Sequence, residues 1–194
     1  MGPATRPAVE SDLEPAARVL AGAFDSYAWT RWALPDEDYR GRLHQVQRLY
    51  LGHALEHGIV VVDEHVRAVA AFLPPDASAP GEQVRRQVAE LHGSRLEALM
   101  QVALPQPPAG SWTLETVGVD PAHQGAGLGT AVTSEGLATI DAGGVPVALE
   151  TSDGRNVRLY ERLGFAVDAT TTIPDGPVVY SMSRRATKPG QGTP

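Results

Sequence analysis

The chain has 194 residues, 42% hydrophobic and 20% charged, with no cysteine and a formal net charge of −7. That balance describes a soluble globule, read as one domain over residues 1–185; the missing cysteine excludes disulfides, thiolate metal sites and a cysteine nucleophile, and the net charge argues against nucleic acid as a partner. No apolar run is long enough to span a membrane, and the opening MGPATRPAVE carries neither a signal-peptide core nor, with Arg6 where Ser or Thr is needed, a myristoylation pattern, so a cytoplasmic protein is expected.

Along the chain, TRPAVESDLEPAARVLAGAF reads as a short strand and then a helix capped by Ser11 or Asp12, with Leu13, Ala16, Ala17 and Leu20 on one stripe. SYAWTRWALPDED follows and ends at Pro35. YRGRLHQVQRLYLGHALEHG predicts a second helix with Leu43, Val46, Tyr50 and Ala54 on one face and Gly58 as its stop. IVVVDEHVRAVAAFLPP predicts a hairpin around Asp63–Glu64–His65. APGEQVRRQVAELHGSRLEALMQV is helical and broken near Gly93, and LPQPPAGS is a loop. WTLETVGV predicts a strand, and the stretch after it becomes a helix to about Asp141. GGVPVALETS gives a turn and a strand, and DGRNVRLYERLG a short helix stopped by Gly164. FAVDATTTI and PVVYSMSRR close the order as two strands around the 174–177 turn. The last nine residues, 186–194, have nothing to pack and read as a disordered tail.

The chemistry concentrates in VDPAHQGAGLGTAV, which places glycines at 125, 127 and 129 ahead of an apolar helix. A Rossmann loop needs Gly-x-Gly-x-x-Gly, and position 130 is Thr; a Walker loop needs a lysine, and none is present. A strand followed by Gln124-x-x-Gly127-x-Gly129 at a helix start instead resembles the acyl-CoA loop of the GNAT superfamily of N-acetyltransferases. Successive backbone N–H groups at 125–130 converge on one concavity, the helix N-terminus adds partial positive charge, and glycine removes the Cβ atoms that would keep a pyrophosphate away. A second element strengthens the resemblance: Asn156 and Tyr160 lie four apart on the next helix, so they share a face. Asn156 can reach pantetheine amides and Tyr160 the sulfur.

The resemblance to this superfamily is clearest over residues 111–172. The segments TVGVDPAHQGAGLG, GVPVALETSDGRN, YERLGF, AELHGSRL and the IPDGP turn are further similar to the puromycin N-acetyltransferases of actinomycetes. The resemblance implies an α+β (α/β/α) acyl-CoA N-acyltransferase fold: a mixed sheet of about seven strands, flanked by helices, whose central strands 112–119 and 147–151 splay apart. It implies acetyl-CoA as co-substrate and no metal. The donor would be held by Val117, Gly118 and Val119 as an added strand, by Gln124, Gly125, Ala126, Gly127, Leu128, Gly129 and Thr130 around the pyrophosphate, and by Asn156 and Tyr160. Ala126 stands where many relatives carry a basic residue.

Direct attack of an amine on the thioester needs no nucleophilic side chain. Tyr160 is the general-acid candidate, and Glu115 and Glu150, on the two splayed strands, are the candidate bases. Strand alternation predicts Glu115 and Val117 on one face. Tyr27, Trp29, Trp32 and Tyr39 crowd one segment and suit an aromatic acceptor; Tyr27 and Trp29 are the substrate-binding candidates, although Trp29 and Trp32 at helical spacing also suit the core. The expected partners are acetyl-CoA and a small amine, an aminonucleoside if the similarity to the puromycin enzymes extends to the acceptor. A non-catalytic acyl-CoA sensor, or acetylation of peptide amines, are the alternatives. Both a monomer and a homodimer through strands 165–184 are open.

Overall fold

The computed structural model describes residues 2–185. In chain order its elements are β1 (Thr5–Pro7), α1 (Leu13–Ala23), α2 (Ala28–Ala33), α3 (Tyr39–His57), β2 (Ile59–Asp63), β3 (Ala68–Leu73), α4 (Glu82–His92), α5 (Leu96–Met100), β4 (Trp112–Val119), α6 (Leu128–Asp141), β5 (Val147–Thr151), α7 (Gly154–Arg162), β6 (Ala166–Thr172) and β7 (Val178–Arg184). The seven strands make one sheet in the order β1-β2-β3-β4-β5-β7-β6. The tail expected to be disordered lies outside the described residues.

The centre of the sheet is covered on both sides, which is why β2 and β3 read as apolar runs rather than alternating ones. Leu128, Val132, Leu137 and Ile140 of α6 pack on one face with Phe72 and Leu149. Ala16, Ala17 and Leu20 of α1 join Leu51 and Ala54 of α3 on the other. Each fully buried leucine contributes roughly 1.5–3 kcal/mol relative to exposure, so these two layers supply the rigid frame of the site.

β4 and β5 are the parallel neighbours, and they pair only at Trp112↔Val147 and Thr113↔Ala148. Beyond those pairs the strands diverge, as the resemblance implies. Backbone groups of β4 that face β5 past Thr113 have no strand partner in the sheet.

One local expectation is corrected, the cap of α1, and the stop at Gly58 holds for a different reason. Neither Ser11 nor Asp12 caps α1 through its side chain; the Asp12 carboxylate instead accepts the Arg6 guanidinium at 2.6 and 2.9 Å and Val9 N–H at 2.9 Å, tying β1 to the helix. Gly58 ends α3 without the left-handed backbone of a typical glycine stop, at φ −139. It is needed for closeness, because a Cβ there would sit 2.0 Å from Phe72 O. Tyr50, on the α3 face it shares with Leu43, Val46 and Ala54, is 41% exposed and faces the cavity described below.

The β2–β3 hairpin turns on Asp63, which is 0% exposed. Its carboxylate accepts from the backbone N–H of His65, Arg67 and Ala68 and from Arg67 Nε. Burial works against the charge, but these donors outweigh it and hold the carboxyl below its ordinary range. Asp63→Ala should therefore destabilise the fold by about 2–4 kcal/mol through orphaned N–H groups, read as a lower denaturation midpoint in urea; an unchanged midpoint would refute that role for Asp63.

Candidate active site

The register between β3 and β4 slips by one residue: Ala71 pairs with Thr116, but Phe72 pairs with Leu114. Glu115 is the extra residue of a β-bulge on β4. This overturns the alternation expected for Glu115 and Val117. Leu114 and Val117, three apart, both pack on the α6 side, whereas Glu115 is close to Tyr50 of α3, whose phenol is raised by burial with the Glu115 charge adding to it. The bulge re-aims Glu115 at the site.

That site is a cavity of about 340 Å³ at the divergence of β4 and β5, walled on the other side by α2 and α3 and reached by His92 and Leu99. It brings Glu115, Glu150, Tyr160, Asn156, Val117, Tyr27 and Trp29 together. Glu115 and Glu150 open onto the cavity and are hemmed in elsewhere by protein. Burial is the main cause that lifts both above the ordinary carboxylate range; the Glu150 charge adds to the lift on Glu115, and Ser181 Oγ, 3.5 Å from Glu150 Oε1, partly offsets it there. Neither carboxylate has an arginine partner among the described residues. A carboxyl pair raised toward neutrality without a counter-ion is what a proton acceptor needs.

Tyr160, on α7, is 7% exposed and packs edge-on against Phe165 with ring centres 5.8 Å apart. Burial, with the neighbouring Tyr27 phenol contributing, pushes its hydroxyl well above the ordinary tyrosine value. It therefore stays protonated and can donate but not accept a proton at neutral pH. α7 starts at Asp153, whose carboxylate accepts Arg155 N–H at 2.8 Å, and this fixes the face that carries Asn156 and Tyr160.

Tyr27 does more than line the wall. Its hydroxyl accepts Ser152 N–H at 2.6 Å and shares a hydrogen bond with Thr151 Oγ1 at 2.9 Å. Asn156 Nδ2 donates to that same Thr151 oxygen at 3.4 Å, and Trp29 N–H donates to Ser152 Oγ at 3.2 Å. The start of α2 is thus lashed across the opening to the end of β5, and the Tyr27 ring, not its hydroxyl, is what it offers a ligand. Tyr27→Phe should raise KM for acetyl-CoA and for the acceptor together, about 3- to 10-fold, with a smaller change in kcat. A drop confined to kcat would refute this positioning role.

Trp29 and Trp32 are half-buried rather than core residues, with rings 5.4 Å apart. Trp29 lines the cavity, and Trp32 abuts Gly176 in the β6–β7 turn. Tyr39 is the core member of the aromatic segment, 5% exposed.

The glycine loop lies outside the cavity wall, past the C-terminal end of β4. Gly125 and Gly127 hold φ of 81 and 78, the left-handed region that favours glycine. Ala131 N–H donates to Gly127 O at 3.0 Å, so the amides of Leu128, Gly129 and Thr130 precede the first helical hydrogen bond and are free to meet an anion. The side chains do something else. Leu128 is core, Gln124 Nε2 donates to Val119 O at 3.4 Å, and a Cβ on Gly129 would press on Val119 at 3.1 Å. Gly118 lets α1 close on β4, since a Cβ there would meet Leu20 Cδ2 at 2.6 Å. Any donor contact from 118 and 124–130 therefore rests largely on backbone. Among the described residues no three His, Asp or Glu side chains gather to hold a metal ion.

Gln47, Tyr50, Thr116 and His92 on the cavity wall were not singled out as site residues from the sequence. Gln47 sits among apolar neighbours on α3, and a polar residue inside an apolar stripe was the available signal. His92 gave none, because its place depends on how α4 crosses α3.

A mixed seven-stranded sheet that parts between two parallel strands, above a glycine-rich helix start, defines an acyl-CoA-dependent acyltransferase architecture. The model of the Acetyltransferase (GNAT) family matches residues 24–165. The chain belongs to that family of acetyl-transfer enzymes, whose co-substrate is acetyl-CoA.

Among curated relatives, a mycothiol acetyltransferase of Nocardiopsis dassonvillei is 32% identical over 134 residues, 68% of this chain and 40% of its own length. A mycothiol acetyltransferase of Streptomyces avermitilis is 47% identical over 57 residues, 28% of this chain and 18% of its own length. The match thus spans two-fifths or less of these relatives. They are mycothiol acetyltransferases, where the sequence resemblance pointed to the puromycin enzymes. Among solved structures, a histone acetyltransferase HPA2 and related acetyltransferase from Corynebacterium glutamicum superposes with a TM-score of 0.77 at 24% identity, over 98% of this chain and 99% of that one. The ribosomal-protein-S18-alanine N-acetyltransferase from Escherichia coli does so with 0.55 at 18% identity, over 98% and 97%. These two likenesses show the fold.

Proposed function

We propose that the chain moves the acetyl group of acetyl-CoA to the primary amine of a small molecule by direct attack. The observation that carries this is the meeting of Glu115, Glu150 and Tyr160 in one cavity where β4 and β5 part. The diverging edge of β4, Val117–Val119, offers its unpaired backbone to the pantetheine arm as a sheet offers an edge to an added strand. The amides of 125–130 receive the pyrophosphate, and Asn156 holds the arm from α7.

In the reaction, the acceptor's ammonium first gives one proton to solvent, and as the neutral amine attacks, the carboxyl pair takes a second proton from its nitrogen, directly or through water, and later releases it to solvent. The amine nitrogen forms a bond to the acetyl carbon, and the carbonyl electrons move onto oxygen, held by a β4 backbone N–H near Val117. Collapse breaks the carbon–sulfur bond. Tyr160 gives the departing thiolate a hydrogen bond and its proton, then regains one from solvent, leaving an amide and coenzyme A thiol. The fully protonated phenol suits this step, because the same burial that weakens it as an acid also raises the basicity of the thiolate it meets.

The test is thiol release from acetyl-CoA across puromycin, amino-acid amides, aminoglycosides, polyamines and short peptides. Release stimulated by a small amine supports the reading. Stimulation by peptides alone would replace it with peptide acetylation.

A further inference from the structure

Resting on the acetyl-transfer reading above, we propose that the acceptor is a primary amine on an apolar or aromatic body, with no carboxylate or phosphate near the amine. The cavity lining sets Glu115 and Glu150 among the apolar and aromatic side chains of Phe24, Trp29, Leu34, Leu43, Val46 and Leu99. No lysine or arginine lines it among the described residues. Its histidine, His92, is held below the ordinary histidine value by burial, with the Ala33 carbonyl 2.9 Å from Nδ1 opposing this, so burial works against a cation there.

The arginines of α2 and α3 are committed elsewhere, Arg40 to Asp25 and Arg48 to Glu14 among them. Arg31 of α2 gives Nε to Asp25 O at 2.7 Å and pairs with the Asp25 carboxylate at 3.7 Å. Arg42 of α3 donates to the carbonyls of Glu37, Glu90 and Leu91. An acceptor anion would enter beside two carboxylates with nothing to pair with. A like charge at about 6 Å in a medium of intermediate polarity corresponds to a penalty of roughly 100-fold. An apolar body instead loses only water against the leucine and aromatic wall, and the cavity volume sets a small molecule as the limit.

The experiment compares matched acceptors with the intact enzyme: tyrosine amide against tyrosine, and phenethylamine against phenylalanine. Each kcat/KM is referred to the fraction of neutral amine. Gln47→Arg, which sets a guanidinium on the wall, is run beside the wild type. The member of each pair that lacks the carboxylate should be preferred by 10-fold or more, on the order of 100-fold, and Gln47→Arg should narrow the gap. Equal or better use of the carboxylated member overturns the proposal, as does a gap that a folded Gln47→Arg enzyme leaves unchanged. If circular dichroism shows that Gln47→Arg does not fold, the wild-type ratio decides alone. If both pairs are inert but an aminoglycoside or polyamine is acetylated, the proposal falls and acetyl transfer stands. If no amine is acetylated, the acetyl-transfer reading itself falls.

Discussion

Tyr160→Phe should lower kcat by about 10²- to 10³-fold while changing the affinity for acetyl-CoA less than about twofold. The ring would keep its edge contact with Phe165 and its place in the core, so the loss would isolate the hydroxyl. Thermal melting should confirm that packing survives. The pH profile gives an independent sign. Burial holds this phenol above its ordinary value, so the wild type should show no alkaline fall in kcat from Tyr160 across the usual tyrosine range. Unchanged turnover in Tyr160→Phe would remove Tyr160 as the acid.

The carboxylates give the second large effect. Glu115→Gln or Glu150→Gln, whichever is the acting base, should cost roughly 10²-fold in kcat/KM at neutral pH. Loss of both should remove the acidic limb of the pH profile. Because the two groups interact, that limb reports the pair, lying above the ordinary carboxylate range. The same groups bear on stability with the opposite sign. A carboxyl whose pKa is raised in the folded state favours folding fully only below its unfolded value, and that contribution is lost as pH rises through the folded value. At neutral pH the ionised pair therefore opposes folding, and Glu115→Gln should melt at a higher temperature than the wild type. The advantage should vanish in acid, once both carboxyls are protonated. Full activity in both Glu115→Gln and Glu150→Gln would contradict the catalytic half, and a Glu115→Gln enzyme less stable than the wild type at neutral pH would contradict the other.

The sequence made the elements legible because their signals are local. The β-branched run of β4, the apolar stripe of α1 and the glycines around α6 each fix a segment without reference to the rest of the chain. Asn156 and Tyr160 were legible for the same reason, since four residues on a helix are neighbours by geometry. What escaped depends on contacts between distant segments. The bulge at Glu115 is set by pairing with Ala71 and Phe72, and no pattern within WTLETVGV announces it. Asp12 looked like a cap, yet Arg6 claims it. Tyr27 looked like a ligand wall, and its hydroxyl is spent on Thr151 and Ser152, more than a hundred residues away. Trp29 and Trp32 share helical spacing, but one meets the cavity and the other the β6–β7 turn. The aminonucleoside expectation rested on resemblance, and the curated relatives carry a different name, mycothiol acetyltransferase.

The central claim is that this cavity joins an amine to an acetyl group held by coenzyme A. Its most direct test is to incubate the protein with acetyl-CoA and a carboxylate-free aromatic amine such as tyrosine amide. Free thiol and N-acetylated product are then followed together, thiol by colour and product by mass. The account predicts equal molar amounts of both, abolished by removal of the amine and strongly reduced in Tyr160→Phe. Tight binding of acetyl-CoA with no acetylated product from this or any other amine would contradict it, leaving a protein that senses the coenzyme without using it.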